Sequence, residues 1–197
     1  MARWAPGTPD RLRAAALDLF VRQGLEDTTV AQIAAAVGVT ERTFFRHFAD
    51  KREVLFSGQE HFRSAFTEGV AQAPAGASAI DAVRTGVVAG CAWFDDERRA
   101  YSQQRQTVIL ANPGLQEREL LKMTALAAAL RDVLDARGVE EPAASLAAET
   151  GTSVFRLAFQ QWIAEGETRS MPEIARTLFA ELDALYGAPA ARARPRG

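Results

Sequence analysis

The sequence predicts an all-α fold in two parts, a three-helix N-terminal head and a larger C-terminal helical bundle, with about nine helices in total. Three observations lead there. Ala and Leu, both strong helix formers, are abundant, and no segment alternates convincingly as a half-buried strand does. Apolar residues recur instead at intervals of three and four, the period of one helix face. Between these runs stand Gly, Pro, Ser, Thr and Asp at positions that start or stop helices.

Residues 1–7 read as a loose arm, and a frayed terminus is the expected state of Arg3 and Trp4. Thr8 as cap and Pro9 as first helical residue open the first helix; Leu12, Ala15, Ala16 and Leu19 form its inner stripe and Gly24 ends it. Val30, Ile33, Ala34 and Val37 line one face of a short second helix. Thr29 and Gln32 make a capping box at its start. Gly38 closes it, because glycine adopts the left-handed conformation that a sharp turn needs. Val39 plugs the corner and Thr40 caps a third helix in which Phe44 and Phe48, one turn apart, face inward.

Asp50 and Glu53 cap a connector helix predicted over 50–73, with Val54, Leu55, Phe62, Phe66 and Val70 on its inner side. Gly58 and Gly69 fall inside it, each weakening a helix by roughly 1 kcal/mol relative to Ala. Either close packing or a small bend accounts for them. Further helices are expected over 78–94, 97–110, 113–136, 142–165 and 171–186, punctuated by Asn112-Pro113, Gly138 and Gly166. The tail 187–197, rich in Ala, Pro and Arg, is expected to be disordered, with Arg192, Arg194 and Arg196 solvated. The expected division is 1–56 for the head and 57–186 for the bundle.

The helix pair joined at Gly38 carries the chemistry. Small Ala34 lets the two helices cross closely, and the third helix turns Arg42, Thr43, Arg46 and His47 outward. That is how a helix is presented to a DNA major groove. Arg42 can take a guanine bidentately and Glu41 can accept from cytosine, although Glu41 also stands where it stabilises the helix dipole. Thr29, Thr43, His47 and Lys51 are expected to hold phosphates, and Thr40 and Arg46 complete the DNA-facing set. An ordinary helical hairpin that carries arginines is the bland alternative. Four outward DNA-friendly groups and an adjoining Lys51 argue against it.

At this point the residues resemble a known family. RLRAAALDLFVRQG, TTVAQIAAAVGV and TERTFFRHFADKREVLF look like the DNA-binding head of tetracycline-repressor-type (TetR) transcription regulators, without a gap from Arg11 to Phe56. The resemblance implies an all-helical homodimer whose C-terminal domain binds a ligand and forms the dimer contact. Where the family often has a tyrosine whose hydroxyl touches a phosphate, this chain has Phe45. It stays in the DNA-facing set without that bond, with packing as its competing role. The stretch from RQTVILANPGLQER to FQQWIAEGE also resembles regulators of the mycofactocin type, through Arg105, Pro113, Leu115 and Trp162. That likeness implies an apolar or acyl-type effector.

Composition narrows the classes further. A formal net charge of -2 excludes a protein that coats nucleic acid nonspecifically, but a sequence-specific reader needs only a local positive face. From Thr40 to Arg52, four cations (Arg42, Arg46, Lys51, Arg52) stand against Glu41 and Asp50. Cys91 is the single cysteine and lies in an apolar run, so a buried, inert thiol is expected and no disulfide or cysteine-zinc cluster. The run from Gly86 to Phe94 is far shorter than the roughly 20 residues of a membrane helix. Its Gly86 and Gly90 spacing fits close helix contact. No hydrophobic targeting segment is visible, and a cytoplasmic location is expected.

The last two long helices are apolar on two sides. Leu146, Thr150, Val154, Leu157 and Ala158 form one stripe, and Phe155, Phe159 and Trp162 a second. Ile174, Leu178, Leu182 and Leu185 repeat the pattern beside Phe179 and Tyr186. Helices apolar on two sides must be buried on two sides, which predicts a two-fold four-helix contact with a second copy. Val154, Ala158, Trp162, Leu178, Leu182 and Leu185 are the expected interface residues. Trp93, Phe94, Tyr101, Arg105, Met123, Leu126 and Phe159 are candidates to line an effector pocket, with ordinary core packing as their alternative. Arg105 stands on an otherwise uncharged run, and burying its charge requires an acidic partner or an anionic ligand.

The expected function is ligand-responsive repression of transcription from a pseudo-palindromic operator, with no cofactor and no metal. An enzyme is disfavoured: His47 and His61 are the only histidines, and no Ser/His/Asp set, phosphate loop or metal-ligand spacing is visible. The remaining rival is a small-molecule-binding or partner-binding helical protein with a vestigial head.

Overall fold

The computed structural model describes residues 7–187, and side chains as far as Leu185. The expectations for Arg3, Trp4, the Tyr186 side chain and Arg192, Arg194 and Arg196 lie outside the described residues. Within them the chain forms nine α-helices and no strand: α1 (Thr8–Gln23), α2 (Val30–Ala36), α3 (Glu41–Phe45), α4 (Gln59–Ala71), α5 (Ala79–Cys91), α6 (Asp96–Leu110), α7 (Pro113–Ala136), α8 (Ala143–Trp162) and α9 (Met171–Gly187). A 3-10 turn, Glu53–Leu55, lies between α3 and α4.

The connector is not one helix from residue 50. Asp50 does act as a cap, accepting from Glu53 N–H at 2.7 Å, but it starts only a 3-10 turn. Gly58 then takes φ +85°, a left-handed conformation that ends one segment before α4 begins. Gly69 has the other role open to it. A methyl there would lie 2.8 Å from Gly86 Cα, so α4 meets α5 almost backbone to backbone.

The chain divides into two compact units: the described residues up to His61 with Glu97–Ala125, and Phe62–Asp96 with the described residues from Leu126 on. A single cut after Phe56 does not describe this. The reason is in the core of the first unit, where Leu12, Leu17, Phe20, Ile33, Phe44, Phe48, Val54, Leu55 and Phe56 share one cluster with Val108 and Ile109 of α6 and Leu115 of α7. A head of 56 residues alone buries little apolar surface, and these three side chains extend its core.

In the second unit α5, α8 and α9 pack on one another. Glycine makes the approach possible. A methyl on Gly86 would stand 2.4 Å from Val70 Cγ2 and 2.7 Å from the Phe66 carbonyl oxygen, and one on Gly151 would stand 2.2 Å from Val83 Cγ1. Phe62, Phe66, Phe94, Phe155, Phe159 and Trp162 stack around this contact, with neighbouring ring centroids 4.9 to 6.4 Å apart. Arg137, just past α7, donates to the carbonyls of Ala71, Ala73 and Pro74 and closes the C-terminal end of α4. Cys91 is fully buried, and burial pushes its thiol up to about 12 despite a small opposing pull from Arg176.

Candidate nucleic-acid interface

The helix pair α2–α3 is built by reciprocal local bonds. Gln32 N–H donates to Thr29 Oγ1 at 3.2 Å, and Thr29 N–H donates to Gln32 Oε1 at 2.8 Å, so both halves of the capping box are present. At the other end of α2, Val39 N–H reaches Ala34 O (3.0 Å) and Gly38 N–H reaches Ala35 O (3.1 Å). These two bonds form a Schellman turn, and Gly38 holds φ +73° at its left-handed position. Thr40 Oγ1 then accepts from Thr43 N–H at 3.2 Å and starts α3. Phe44 is fully buried and Phe48 nearly so. That fixes the rotation of α3 and leaves Glu41, Arg42, Phe45 and Arg46 exposed, with Thr43 and His47 half-buried.

The expected DNA-facing residues differ in what they have free. Among the described residues no hydrogen bond or ion pair engages the Arg42 or Arg46 guanidinium. Thr29 is different: its hydroxyl accepts in the cap and lies 3.2 Å from Gln32 Oε1 as donor, so a phosphate must compete with Gln32. Lys51 Nζ donates to the carbonyls of Glu26 (3.0 Å) and Thr28 (2.9 Å), pinning the α1–α2 loop and leaving one of its three N–H groups. Arg52 pairs with Glu26 at 3.2 Å. The positive face is therefore narrower than the sequence count suggests, and Arg42 and Arg46 carry it. His47 Nε2 is buried with no partner, so an outside contact must run through Nδ1. Phe45 is 53% exposed, which removes packing as its sole role.

Behind this face, α6 and α7 grip the 3-10 turn with charge. Arg105 donates through Nε to Leu55 O (2.9 Å) and pairs with Glu119 at 2.7 Å. Arg118 pairs with Glu53 at 2.6 Å and approaches Asp50 at 3.7 Å. The two guanidiniums stand 5.2 and 5.1 Å from the centroid of buried Phe56. Lys122 adds a second cation 3.4 Å from Glu119. Burial pushes the Glu119 carboxyl up, yet Arg105 and Lys122 together hold it below the ordinary carboxylate range. Burial brings the Lys122 ammonium down to about 8, with Glu119 only partly offsetting it. Sequence reading singled out Arg105 but missed Glu119, Arg118 and Phe56. The signal was present only as an arginine needing an acid, since the acid lies on the next helix.

Arg105 thus has its acidic partner inside the chain and is not free to anchor an anionic ligand. The seven pocket candidates also fall in different units: Tyr101, Arg105 and Met123 in the first, Trp93, Phe94, Leu126 and Phe159 in the second. Phe94 and Leu126 are buried, Phe159 is half-buried and Trp93 is 43% exposed. Burial pushes the Tyr101 hydroxyl up, with Arg105 and Arg13 opposing.

The expected dimer residues separate by helix. Val154, Ala158 and Trp162 are buried within the chain itself, Trp162 and Ala158 fully, and offer no surface to a second copy. The three are drawn from both apolar stripes of α8, and all of them face inward. The outward line of α8 is Leu146 and, three turns on, Leu157; on α9, Leu178 and Leu182 are half-buried and Leu185 is 76% exposed.

Comparison with known proteins agrees with this architecture. Residues 12–57 match the model for bacterial regulatory proteins of the tetR family. Residues 77–187 match the MftR C-terminal domain. The transcriptional regulator TcmR of Streptomyces glaucescens is 47% identical over 76 residues, covering 39% of this chain and 34% of TcmR. MftR of Mycobacterium tuberculosis, named for transcriptional regulation of mycofactocin biosynthesis, is 28% identical over 109 residues, 55% of this chain and 54% of MftR. The chain therefore spans between a third and just over half of these relatives. The TetR-family regulator PfmR of Thermus thermophilus has the same fold, with TM-score 0.53 and 21% identity over 87% of this chain and 96% of that one. These relatives are regulators, not enzymes. No helix among the described residues is long and apolar enough to cross a membrane.

Proposed function

Because this chain belongs to the tetR family of bacterial regulatory proteins, we propose that it is a cytoplasmic, DNA-binding repressor of transcription, released from its operator by a small apolar or acyl-type molecule. The observation that carries the DNA-binding part is the doubly capped α2–α3 pair with Arg42 and Arg46 exposed and unengaged on its outer face. Glu41 and Arg42 are assigned to base edges, and Thr43, Arg46 and His47 to phosphates, with Lys51 contributing its remaining N–H.

Two copies join through the outward lines of α8 and α9, with Leu146, Leu157, Leu178, Leu182 and Leu185 at the contact. Two heads then read half-sites about one helical turn, roughly 34–36 Å, apart. Support for an apolar effector comes from the aromatic cluster of the second unit and from the MftR-type domain match. With Arg105 already paired, an anionic group on the effector needs another anchor. Ligand shifts the population toward a head spacing that no longer fits the operator.

Selection of DNA from a random pool by the full chain, and then binding at several salt concentrations, tests this. The expected product is a two-fold symmetric site, bound more tightly than random DNA and released by an apolar metabolite. By linkage, operator DNA must weaken that metabolite by the same factor. Absence of any selected sequence overturns the DNA-binding proposal. Identical metabolite affinity with and without operator overturns the inducible one.

A further inference from the structure

We infer that Phe45 reads the C5 methyl group of a thymine in the operator. This rests on the DNA-binding proposal and adds the chemical identity of one contact. Phe45 is 53% exposed on a helix whose other phenylalanine, Phe44, is fully buried. The Phe45 ring stands edge-on to Phe44, with centroids 5.5 Å apart and an interplanar angle of 86°, so the core buttresses the exposed ring.

Its position is that of a base reader. Glu41 lies one turn earlier on the same line of α3 and Arg42 three residues earlier, both exposed. The ring therefore sits within the polar face proposed for base edges. Phenylalanine neither donates nor accepts a hydrogen bond, and it adds nothing to charge attraction. What it gains on a duplex is removal of apolar surface from water. On the major-groove edges of the bases, the apolar group is the thymine methyl. A leucine or alanine at this position would present less apolar surface.

The test replaces each thymine of the selected operator with uracil, which removes the methyl and leaves the hydrogen-bonding edge intact. One thymine per half-site is expected to be sensitive, with wild-type affinity falling about fourfold, the worth of one buried methyl-sized group. In Phe45→Ala the same swap has no effect, while the salt dependence is unchanged because no phosphate contact is lost. Phe45→Leu retains part of the discrimination, and circular dichroism checks that both variants are folded. If no thymine-to-uracil swap depends on Phe45, or if Phe45→Ala weakens selected and random DNA alike, the ring touches sugar or nothing and the inference is overturned. Failure of the wild-type chain to select any DNA overturns the function as well, so the two failures are distinguishable.

Discussion

Two buried phenylalanines show how differently the two units are held. Phe56, in the first, has the guanidiniums of Arg105 and Arg118 over its ring, and their other atoms reach Leu55 O, Glu119 and Glu53. Phe66, in the second, lies among Phe62, Phe155 and the bare backbone of Gly90, where a methyl would stand 2.5 Å from its ring carbons. The first joint is directional and made of charge. The second is steric and made of contact. A charged joint loosens when one partner is removed and recovers when both are. A steric joint has no compensating partner to delete.

The largest effect is therefore expected in the second unit. Gly86→Ala places a methyl against Val70 and against the Phe66 carbonyl, a backbone atom that cannot swing away. The intrinsic helix gain of roughly 1 kcal/mol for Ala over Gly is outweighed, and denaturant unfolding should register a net loss of about 3 kcal/mol or failure to fold. A stabilised Gly86→Ala variant would show that the α4–α5 contact is looser than its geometry.

Next comes the charged joint. Arg105→Met leaves Glu119 and the Leu55 carbonyl short of a donor and should cost about 2 kcal/mol in the same measurement. Adding Glu119→Leu together with Lys122→Met, which removes the second cation that Glu119 holds, should return part of that loss. If the triple variant is worse than the single, the buried charges are not the element that matters.

The smallest effect is in pH. The Lys122 ammonium is held down at about 8 by burial, so between pH 8 and the ordinary lysine range the folded chain binds fewer protons than the unfolded one. Stability must then rise with pH through that window. Between pH 8 and 9 the gain should be on the order of 1 kcal/mol, and Lys122→Met should abolish it. The unfolded Cys91 thiol ionises from its ordinary 9.0 within the same window while burial holds the folded one up. That offsets part of the rise, so the difference between wild type and Lys122→Met is the quantity to read; Tyr101 opposes chiefly above pH 9.

The contrast also explains what the sequence could disclose. The caps and the turn of α2–α3 were legible because their bonds are local: Thr29 to Gln32, Val39 to Ala34, Thr43 to Thr40. The length of α3, which stops at Phe45 short of Phe48, and the half-burial of Thr43 and His47 were not. Nor were the partners at the joints of both units, because they lie far apart in the chain, although the Gly86 and Gly90 spacing did signal a close helix contact. Arg105 signalled a missing acid but not that Glu119, on the next helix, supplies it. Gly58 and Gly69 looked alike within one helical pattern, and only their φ angles and neighbours tell a break from a contact. Periodicity likewise grouped residues of α8 into one stripe that the structure divides between the core and the outside. Val154 and Leu157 are three residues apart, and one is buried while the other is 45% exposed.

The lone thiol has a practical consequence. Cys91 is inaccessible and hard to ionise, so thiol-directed reagents should pass over the native chain. A cysteine placed at exposed Ala14 of α1, outside both the DNA-facing set and the proposed contact between copies, would then be the one reactive site in the chain. Attached spin labels or fluorophores could report, against a silent background, whether two copies associate as proposed and how far apart their labels lie with and without an added metabolite.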